Sequence, residues 1–143
     1  GQRGWAIMER EPAALQSLHG PGLDIRPYID NMAAVMRAAD LVICRAGAST
    51  VSEITALGVP AVIVPSPYVT NNHQEKNARI LEQHGGAALL LEKDATGDAL
   101  YDAARGILDD PEKRASMSRA MAELGIPDAT ERIFRAVMAL VKK

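Results

Sequence analysis

The strongest candidate for chemistry in this sequence is the segment 45–53, which follows an apolar run at residues 41–44. The run predicts a short buried strand, and Ser49 or Thr50 can open a helix directly after it. Because Gly47 lies between small alanines, an anion can approach the N–H groups at the start of that helix, where the helix dipole favours negative charge. Neither the Walker pattern nor Gly-x-Gly-x-x-Gly is present, so the segment predicts a phosphate site of another kind.

Two charged side chains of this segment have a structural as well as a functional interpretation. Residues 50–53 match a capping box, in which Glu53 would return to the backbone of Thr50. Glu53 is equally placed to accept hydrogen bonds from a ligand. Arg45 can be either a ligand contact or a solvated cation of the loop, and the local pattern leaves both choices open.

The next predicted strand spans residues 61–64, and a second polar segment follows it. It brings three neutral polar groups to one helix start, on Asn72, His73 and Gln74, although Asn72 can also serve only as a helix cap. Amide and imidazole groups both donate and accept hydrogen bonds, as sugar hydroxyls do. Since ligands bind at the carboxyl ends of parallel strands, the two segments together predict a nucleotide-diphosphate-sugar site.

Other chemistries find little support in the sequence. It has no His-x-x-x-His pair, no His/Cys cluster and no Gly-x-Ser-x-Gly elbow, which argues against metal and nucleophilic catalysis. Sixteen Lys and Arg against 18 Asp and Glu argue against nucleic acid as the main partner. Cys44 is the only cysteine and lies in an apolar run, which predicts a buried structural thiol and a reducing cytoplasm.

The elements that position these segments alternate between short apolar runs and helical stretches, as in a Rossmann-like parallel α/β sheet. Strands are predicted at residues 24–29, 41–44, 61–64 and 87–91. Helices are predicted at residues 6–18, 30–39, 49–58, 73–84, 96–108, 111–124 and 128–141. We therefore expect one domain over residues 1–143, with an α/β part to about residue 94 and a helical tail from about residue 95.

Four blocks of the sequence, in this order, resemble the C-terminal, donor-binding domain of the MurG family. They are Tyr28-Ile29-Asp30-Asn31-Met32, Arg45-Ala46-Gly47-Ala48-Ser49-Thr50-Val51-Ser52-Glu53, Gly58-Val59-Pro60 and His73-Gln74-Glu75-Lys76-Asn77-Ala78. That family consists of bacterial two-domain (GT-B type) transferases. They move N-acetylglucosamine from UDP to undecaprenyl-pyrophosphoryl-N-acetylmuramyl-pentapeptide (lipid I), which makes lipid II for peptidoglycan.

The resemblance implies a role for each matched position. It places the backbone of Ile29 at the uracil edge, Arg45 near the base and Glu53 on the ribose hydroxyls, which favours the functional interpretation of Glu53. The positions that it assigns to the diphosphate and the sugar are Gly47, Ala48, Ser49, Thr50, His73, Gln74 and Asn77. Arg45 and the helix-end N–H groups would stabilise the leaving UDP. No metal or cofactor is implied, since UDP-N-acetylglucosamine is the donor substrate.

The resemblance also implies what lies outside these residues. The acceptor site, the general base and a Gly-Gly-Ser loop have no counterpart here, and the sequence does not begin with Met. We expect part of a longer protein, inactive alone and, when complete, cytoplasmic and peripheral on the inner face of the membrane. The alternatives are another UDP-sugar transferase or UDP-N-acetylglucosamine 2-epimerase, a split transferase that docks onto a separate acceptor subunit, and a non-catalytic fragment.

Overall fold

The computed structural model describes residues 22–141 of the chain, which belong to two compact units that divide after Met32. In the first unit, residues 22–31 are irregular, so the predicted strand at 24–29 is wrong. Pro27 has no N–H to donate to a strand ladder, and no described strand pairs with this segment. The predicted helix at 6–18 lies outside the described residues.

The second unit is built on a parallel sheet, as predicted, which contains three of the four predicted strands. Its strands are β1 (Val42–Cys44), β2 (Ala61–Ile63) and β3 (Ala87–Leu89), in the order β1-β2-β3. The register pairs Val42 with Ala61 and Ala61 with Ala87. Each strand is shorter than predicted by one or two residues at its ends.

Six α-helices complete the described fold, each within two residues of its predicted bounds. They are α1 (Met32–Ala38), α2 (Ala48–Leu57), α3 (His73–Gln83), α4 (Gly97–Leu108), α5 (Pro111–Leu124) and α6 (Ala129–Val141). Thr96 caps α4 by accepting from the Ala99 N–H at 3.2 Å, and Asp110 caps α5 by accepting from the Lys113 N–H at 2.9 Å. Each cap satisfies one backbone N–H group in the first turn of its helix.

The sheet is covered on both faces, because β2 is buried along its whole length and its side chains alternate between the two sides. Ile63 packs in the larger cluster with Ile54 of α2 and Leu81 of α3. Val62 points the other way, into a smaller cluster with Ile107 of α4 and Met117 of α5. Since the strands are held from both sides, the loops at their ends have a rigid base.

The C-terminal helices differ in how they are packed. Met121 of α5 is fully buried in the larger cluster, so α5 is part of the core of this unit and not only a tail. By contrast, α6 has no buried residue, and Phe134 and Leu140 are exposed. Among residues 22–141, no helix is both long and apolar enough to cross a bilayer.

Candidate functional site

Three loops meet at the carboxyl edge of the sheet, because all three strands run parallel. The loop after β1 leads into α2, the loop after β2 leads through a 3-10 turn (Thr70–Asn72) into α3, and the loop after β3 contains a second 3-10 turn (Glu92–Asp94). This is the edge at which open α/β sheets bind ligands. Both polar segments singled out in the sequence lie there.

The start of α2 offers backbone donors to an anion. The first intrahelical hydrogen bond runs from the Val51 N–H to the Gly47 carbonyl at 2.9 Å. The N–H groups of Ala48, Ser49 and Thr50 therefore have no intrahelical acceptor, and the N-cap residue Gly47 has no side chain that could cap them. The helix begins one residue before Ser49, and its first turn has the geometry of a phosphate site.

Gly47 is not required by the local backbone or by packing. Its φ of −66° and ψ of 146° are open to any residue. A Cβ built at this position would have one neighbour within 4 Å, the Thr50 Oγ1 at 4.0 Å. The space in front of the helix start is therefore open, and a glycine here leaves that space to a ligand.

Glu53 does not take part in a capping box, so that interpretation is wrong. Thr50 is the third residue of α2, and the N-cap position belongs to Gly47. Glu53 is exposed, and it makes no hydrogen bond or ion pair with the part of the chain that the structure describes. Its carboxylate is therefore available to accept hydrogen bonds from a bound molecule.

Two amide side chains fix the second segment, one within the segment and one to the turn before α2. The Gln74 Oε1 accepts from the Ser66 N–H at 3.0 Å, which fixes the amide and leaves its Nε2 as a donor. The Asn77 Nδ2 donates to the carbonyl of the buried Ala46 at 3.2 Å. Asn77 thus ties the start of α3 to the turn before α2, so that Gln74 and the first turn of α2 keep a fixed relation.

The turn before His73 contains two asparagines in the left-handed region, Asn71 with φ 56° and Asn72 with φ 50°. Asparagine tolerates this conformation better than most residues. Asn72 occupies the N-cap position of α3 without a side-chain cap bond; its Nδ2 donates to the Glu75 Oε2 at 2.6 Å. The His73 Nδ1 lies 2.8 Å from the Thr70 carbonyl, so Nε2 is the ring atom left to a ligand.

Arg45 is an exposed cation, as one interpretation of the sequence had it, but it is also paired with Glu92. Its Nη2 donates to the Glu92 Oε1 at 3.0 Å and its Nη1 to the other carboxylate oxygen and to the Val64 carbonyl at 3.1 Å. The hydrogen bonds from Arg45 lower the pKa of Glu92 below its usual value. No local pattern marks Glu92, since its partner lies 47 positions earlier in the chain.

Cys44, at the end of β1, is a half-buried free thiol that packs against the larger core cluster. Removal from water raises its pKa to about 11, because burial disfavours the thiolate. It is therefore protonated at neutral pH, which agrees with the predicted structural role. Among residues 22–141, no three His, Cys, Asp or Glu side chains lie together in a way that could hold a metal ion.

The structure brings most of the predicted site residues to one edge of the sheet. Those in the first turns of α2 and α3 or in the turn before α2 are Arg45, Gly47, Ala48, Ser49, Thr50, His73 and Gln74, and Asn77 follows in the second turn of α3. Glu53 lies further along α2. Ile29 belongs to the first unit, where it is half-buried and lines a cavity of about 330 Å³ with Tyr28 and Met32.

The chain matches a known family over most of its length. A family model described as the glycosyltransferase family 28 C-terminal domain matches residues 2–133. A relative from Acetivibrio thermocellus, named UDP-N-acetylglucosamine--N-acetylmuramyl-(pentapeptide) pyrophosphoryl-undecaprenol N-acetylglucosamine transferase, is 51% identical over 122 residues. These residues are 85% of this chain and 33% of the relative. A Bacillus thuringiensis relative with the same name, numbered 2, is 50% identical over 83% of this chain and 33% of its own length.

Two solved structures have the same fold as this chain. The crystal structure of Acinetobacter baumannii MurG superposes with a TM-score of 0.71 and 32% identity, over 81% of this chain and 35% of that one. The glycosyltransferase VinC, solved in complex with dTDP, superposes with a TM-score of 0.68 at 19% identity, over 87% of this chain and 31% of that one, which shows the shared fold alone. The chain spans about a third of the length of the curated relatives that it matches.

Proposed function

Because the chain belongs to the C-terminal domain family of glycosyltransferase family 28, we propose that it is the donor-binding half of a lipid II-forming transferase. That enzyme transfers N-acetylglucosamine from UDP-N-acetylglucosamine to lipid I in peptidoglycan biosynthesis. The names of the relatives at about 50% identity support this activity. The observation that carries the proposal is that the N–H groups in the first turn of α2 have no intrahelical acceptor. Glu53 lies on the same helix, and Gln74 lies at the same edge of the sheet.

Each part of the donor has a counterpart in the site. The diphosphate would accept from the N–H groups of Ala48, Ser49 and Thr50, as anions do at helix starts. Glu53 would accept from the ribose hydroxyls, while the Gln74 Nε2 and the His73 Nε2 would meet hydroxyls of the sugar. Arg45 would donate hydrogen bonds to the uracil ring.

The reaction that fits this site is a direct displacement with inversion and without a metal or cofactor. The acceptor oxygen would form a bond to the anomeric carbon as the bond from that carbon to the β-phosphate oxygen breaks. Preorganised N–H groups at the start of α2 would stabilise the charge that develops on the leaving UDP. Arg45 contributes less than the sequence suggested, because Glu92 already compensates its charge.

The acceptor side of the reaction is assigned to the two thirds of the relatives that this chain does not cover. That part would supply the general base that takes the proton of the acceptor hydroxyl, and the binding site for the lipid-linked acceptor. We infer that the complete enzyme works at the inner face of the cell membrane as a peripheral protein. The 143-residue chain should therefore bind the donor without transferring its sugar, and turnover by the purified chain would contradict this division of labour.

Isothermal titration of the purified chain with UDP-N-acetylglucosamine, UDP-glucose and ADP tests the donor assignment. We expect binding of UDP-N-acetylglucosamine, weaker binding of UDP-glucose and the weakest binding of ADP. Equal binding of the two UDP-sugars would favour another UDP-sugar enzyme of this fold. A folded chain that binds no uridine nucleotide would contradict the proposal.

Replacing Gly47 by alanine should weaken donor binding without unfolding the chain. The added methyl group enters open space at the start of α2, where its nearest protein atom is 4.0 Å away, so only a ligand can meet it. We expect a loss of affinity of about tenfold, while the free energy of unfolding changes by about 1 kcal/mol or less for a substitution at an N-cap glycine. Titration and denaturant unfolding measure the two quantities.

The matched control is Gly97→Ala, which makes the same change in the first turn of α4, also in open space. It should leave the affinity unchanged. Donor binding by Gly47→Ala at the wild-type affinity would place the diphosphate elsewhere.

A further inference from the structure

The guanidinium of Arg45 is held in one orientation at the carboxyl edge of the sheet. Both N–H groups of Nη1 are used, one by Glu92 and one by the Val64 carbonyl, and Nη2 uses one N–H on the other Glu92 oxygen. Arg45 follows β1, Val64 follows β2 and Glu92 follows β3. The group is therefore fixed across the ends of all three strands.

This arrangement leaves two of the five N–H donors of Arg45 without a partner among the described residues, one on Nε and one on Nη2. The two lie along one edge of the planar group, parallel to each other. They form a fork that can donate both N–H groups to one carbonyl oxygen. Since the plane is fixed by Glu92 and Val64, the fork is already oriented before a ligand arrives.

The charge of this fork is compensated. The carboxylate of Glu92 faces the adjacent edge of the guanidinium, formed by Nη1 and Nη2, and the hydrogen bonds from Arg45 lower the pKa of Glu92. A compensated guanidinium keeps its hydrogen-bond geometry but attracts a dianion less than a free one does. The paired Arg45 is therefore better suited to neutral carbonyl acceptors than to a diphosphate. The diphosphate would instead bind the N–H groups at the start of α2.

The cavity beside Arg45 and Glu92 has a lining that suits a neutral, flat ligand group. Arg45 and Glu92 stand at the side of a cavity of about 340 Å³ at the end of β1. The rest of its lining is apolar or nearly so: Ile43, Cys44, Val64, Ala95 and Leu100. Apolar walls with a few oriented polar groups are typical of sites that bind a ring with a polar edge.

We propose that Glu92 is a positioning residue. It orients Arg45 so that Arg45 donates hydrogen bonds to the neutral base of the nucleotide. This inference rests on the proposed function, and it assigns base selectivity to a residue that touches the ligand only through Arg45. Without Glu92, the guanidinium would lose two of its three hydrogen bonds, and its positive charge would no longer be compensated. The site would then favour phosphate groups in general over the uracil ring.

Titration of Glu92→Gln with UDP, ADP and inorganic pyrophosphate tests this proposal. Glutamine keeps the shape of the side chain but removes its charge and one strong acceptor. We expect UDP to bind about tenfold more weakly, as for the loss of one or two oriented hydrogen bonds, while pyrophosphate binds as well as before or better. The ratio of UDP to ADP affinity should fall, which a merely structural role would not produce.

Two further variants make the test specific. In an Arg45→Ala background, Glu92→Gln should have no additional effect on UDP affinity, because Glu92 acts only through Arg45. Glu131→Gln removes the same charge from an Arg–Glu pair on α6 and should change none of the affinities. Thermal unfolding of each variant shows that it is folded.

Three results would overturn the inference. They are wild-type UDP affinity in Glu92→Gln, equal losses for UDP and pyrophosphate, and a loss that persists in the Arg45→Ala background. UDP binding by the wild-type chain together with any of these leaves the proposed function intact. A folded wild-type chain that binds no UDP overturns the proposed function, and this inference with it.

Discussion

Substitution of Gly125 by alanine is expected to destabilise the chain by about 3 kcal/mol, at the upper end of what overpacking costs. Gly125 lies at the end of α5, directly against the backbone of α2. A Cβ there would lie 2.6 Å from the Thr55 carbonyl oxygen and 3.0 Å from the Ala56 Cα. These are backbone atoms inside a helix, so the contact cannot be relieved by a side-chain rotation.

The conformation of Gly125 is not the reason for this effect. Its φ of −75° and ψ of 149° suit alanine equally well, so the cost comes from packing between α2 and α5 alone. Far-UV circular dichroism in a urea series measures the free energy of unfolding. An unchanged midpoint would show that the two helices are further apart than the structure places them.

The control for this prediction is Gly106→Ala, the same change in the interior of α4. Nothing lies within 4 Å of a Cβ at that position. Alanine is a better helix former than glycine, so this variant should gain about 1 kcal/mol. Opposite signs for the two alanines would separate close packing from helix propensity.

Substitution of Glu53 by alanine is expected to reduce UDP affinity by about 30-fold, as for the loss of hydrogen bonds to a charged acceptor. Glu53 is exposed and has no partner within the described residues, so the folded chain does not depend on it. Alanine is the strongest helix former, so α2 should be at least as stable. The expected loss of UDP affinity would therefore come from the lost ligand contact and not from a loss of folding.

The ribose contact can be isolated with 2′-deoxy-UDP. The wild-type chain should bind UDP more tightly than the deoxy analogue, and Glu53→Ala should bind the two with more similar affinities. Glu123→Ala, which removes an exposed glutamate from α5, is the matched control and should bind both as the wild type does. If Glu53→Ala kept the full preference for UDP, the carboxylate would not meet the ribose.

Much of the second unit could be predicted from the sequence, because its signals are local. Short apolar runs marked the three strands, and the predicted helical stretches at 96–108 and 111–124 match α4 and α5. The phosphate loop was predicted for the same reason, since strand, small residues and helix start are contiguous. The family resemblance also rests on contiguous blocks, and the match over residues 2–133 confirms it.

Local patterns failed where a neighbour in space decided the outcome. Residues 24–29 have a strand-like composition but no described partner strand, and hydrogen bonds to a partner are what make a strand. The sequence of a capping box is present at residues 50–53, yet packing starts α2 at Ala48 and leaves Glu53 outside the first turn. A local motif shows which hydrogen bonds its residues can form, but the neighbours in the folded chain decide whether those bonds form.

The composition, the parallel α/β pattern and the two polar segments that follow β1 and β2 were thus determined by the sequence itself. Only the tertiary structure decided that Arg45 meets Glu92 across the ends of three strands, and that Gly125 is where α5 touches the backbone of α2. Pairs so distant in the chain leave no periodic or spaced signal. Their proximity is a property of the packed sheet and helices, and it exists only once the chain has folded.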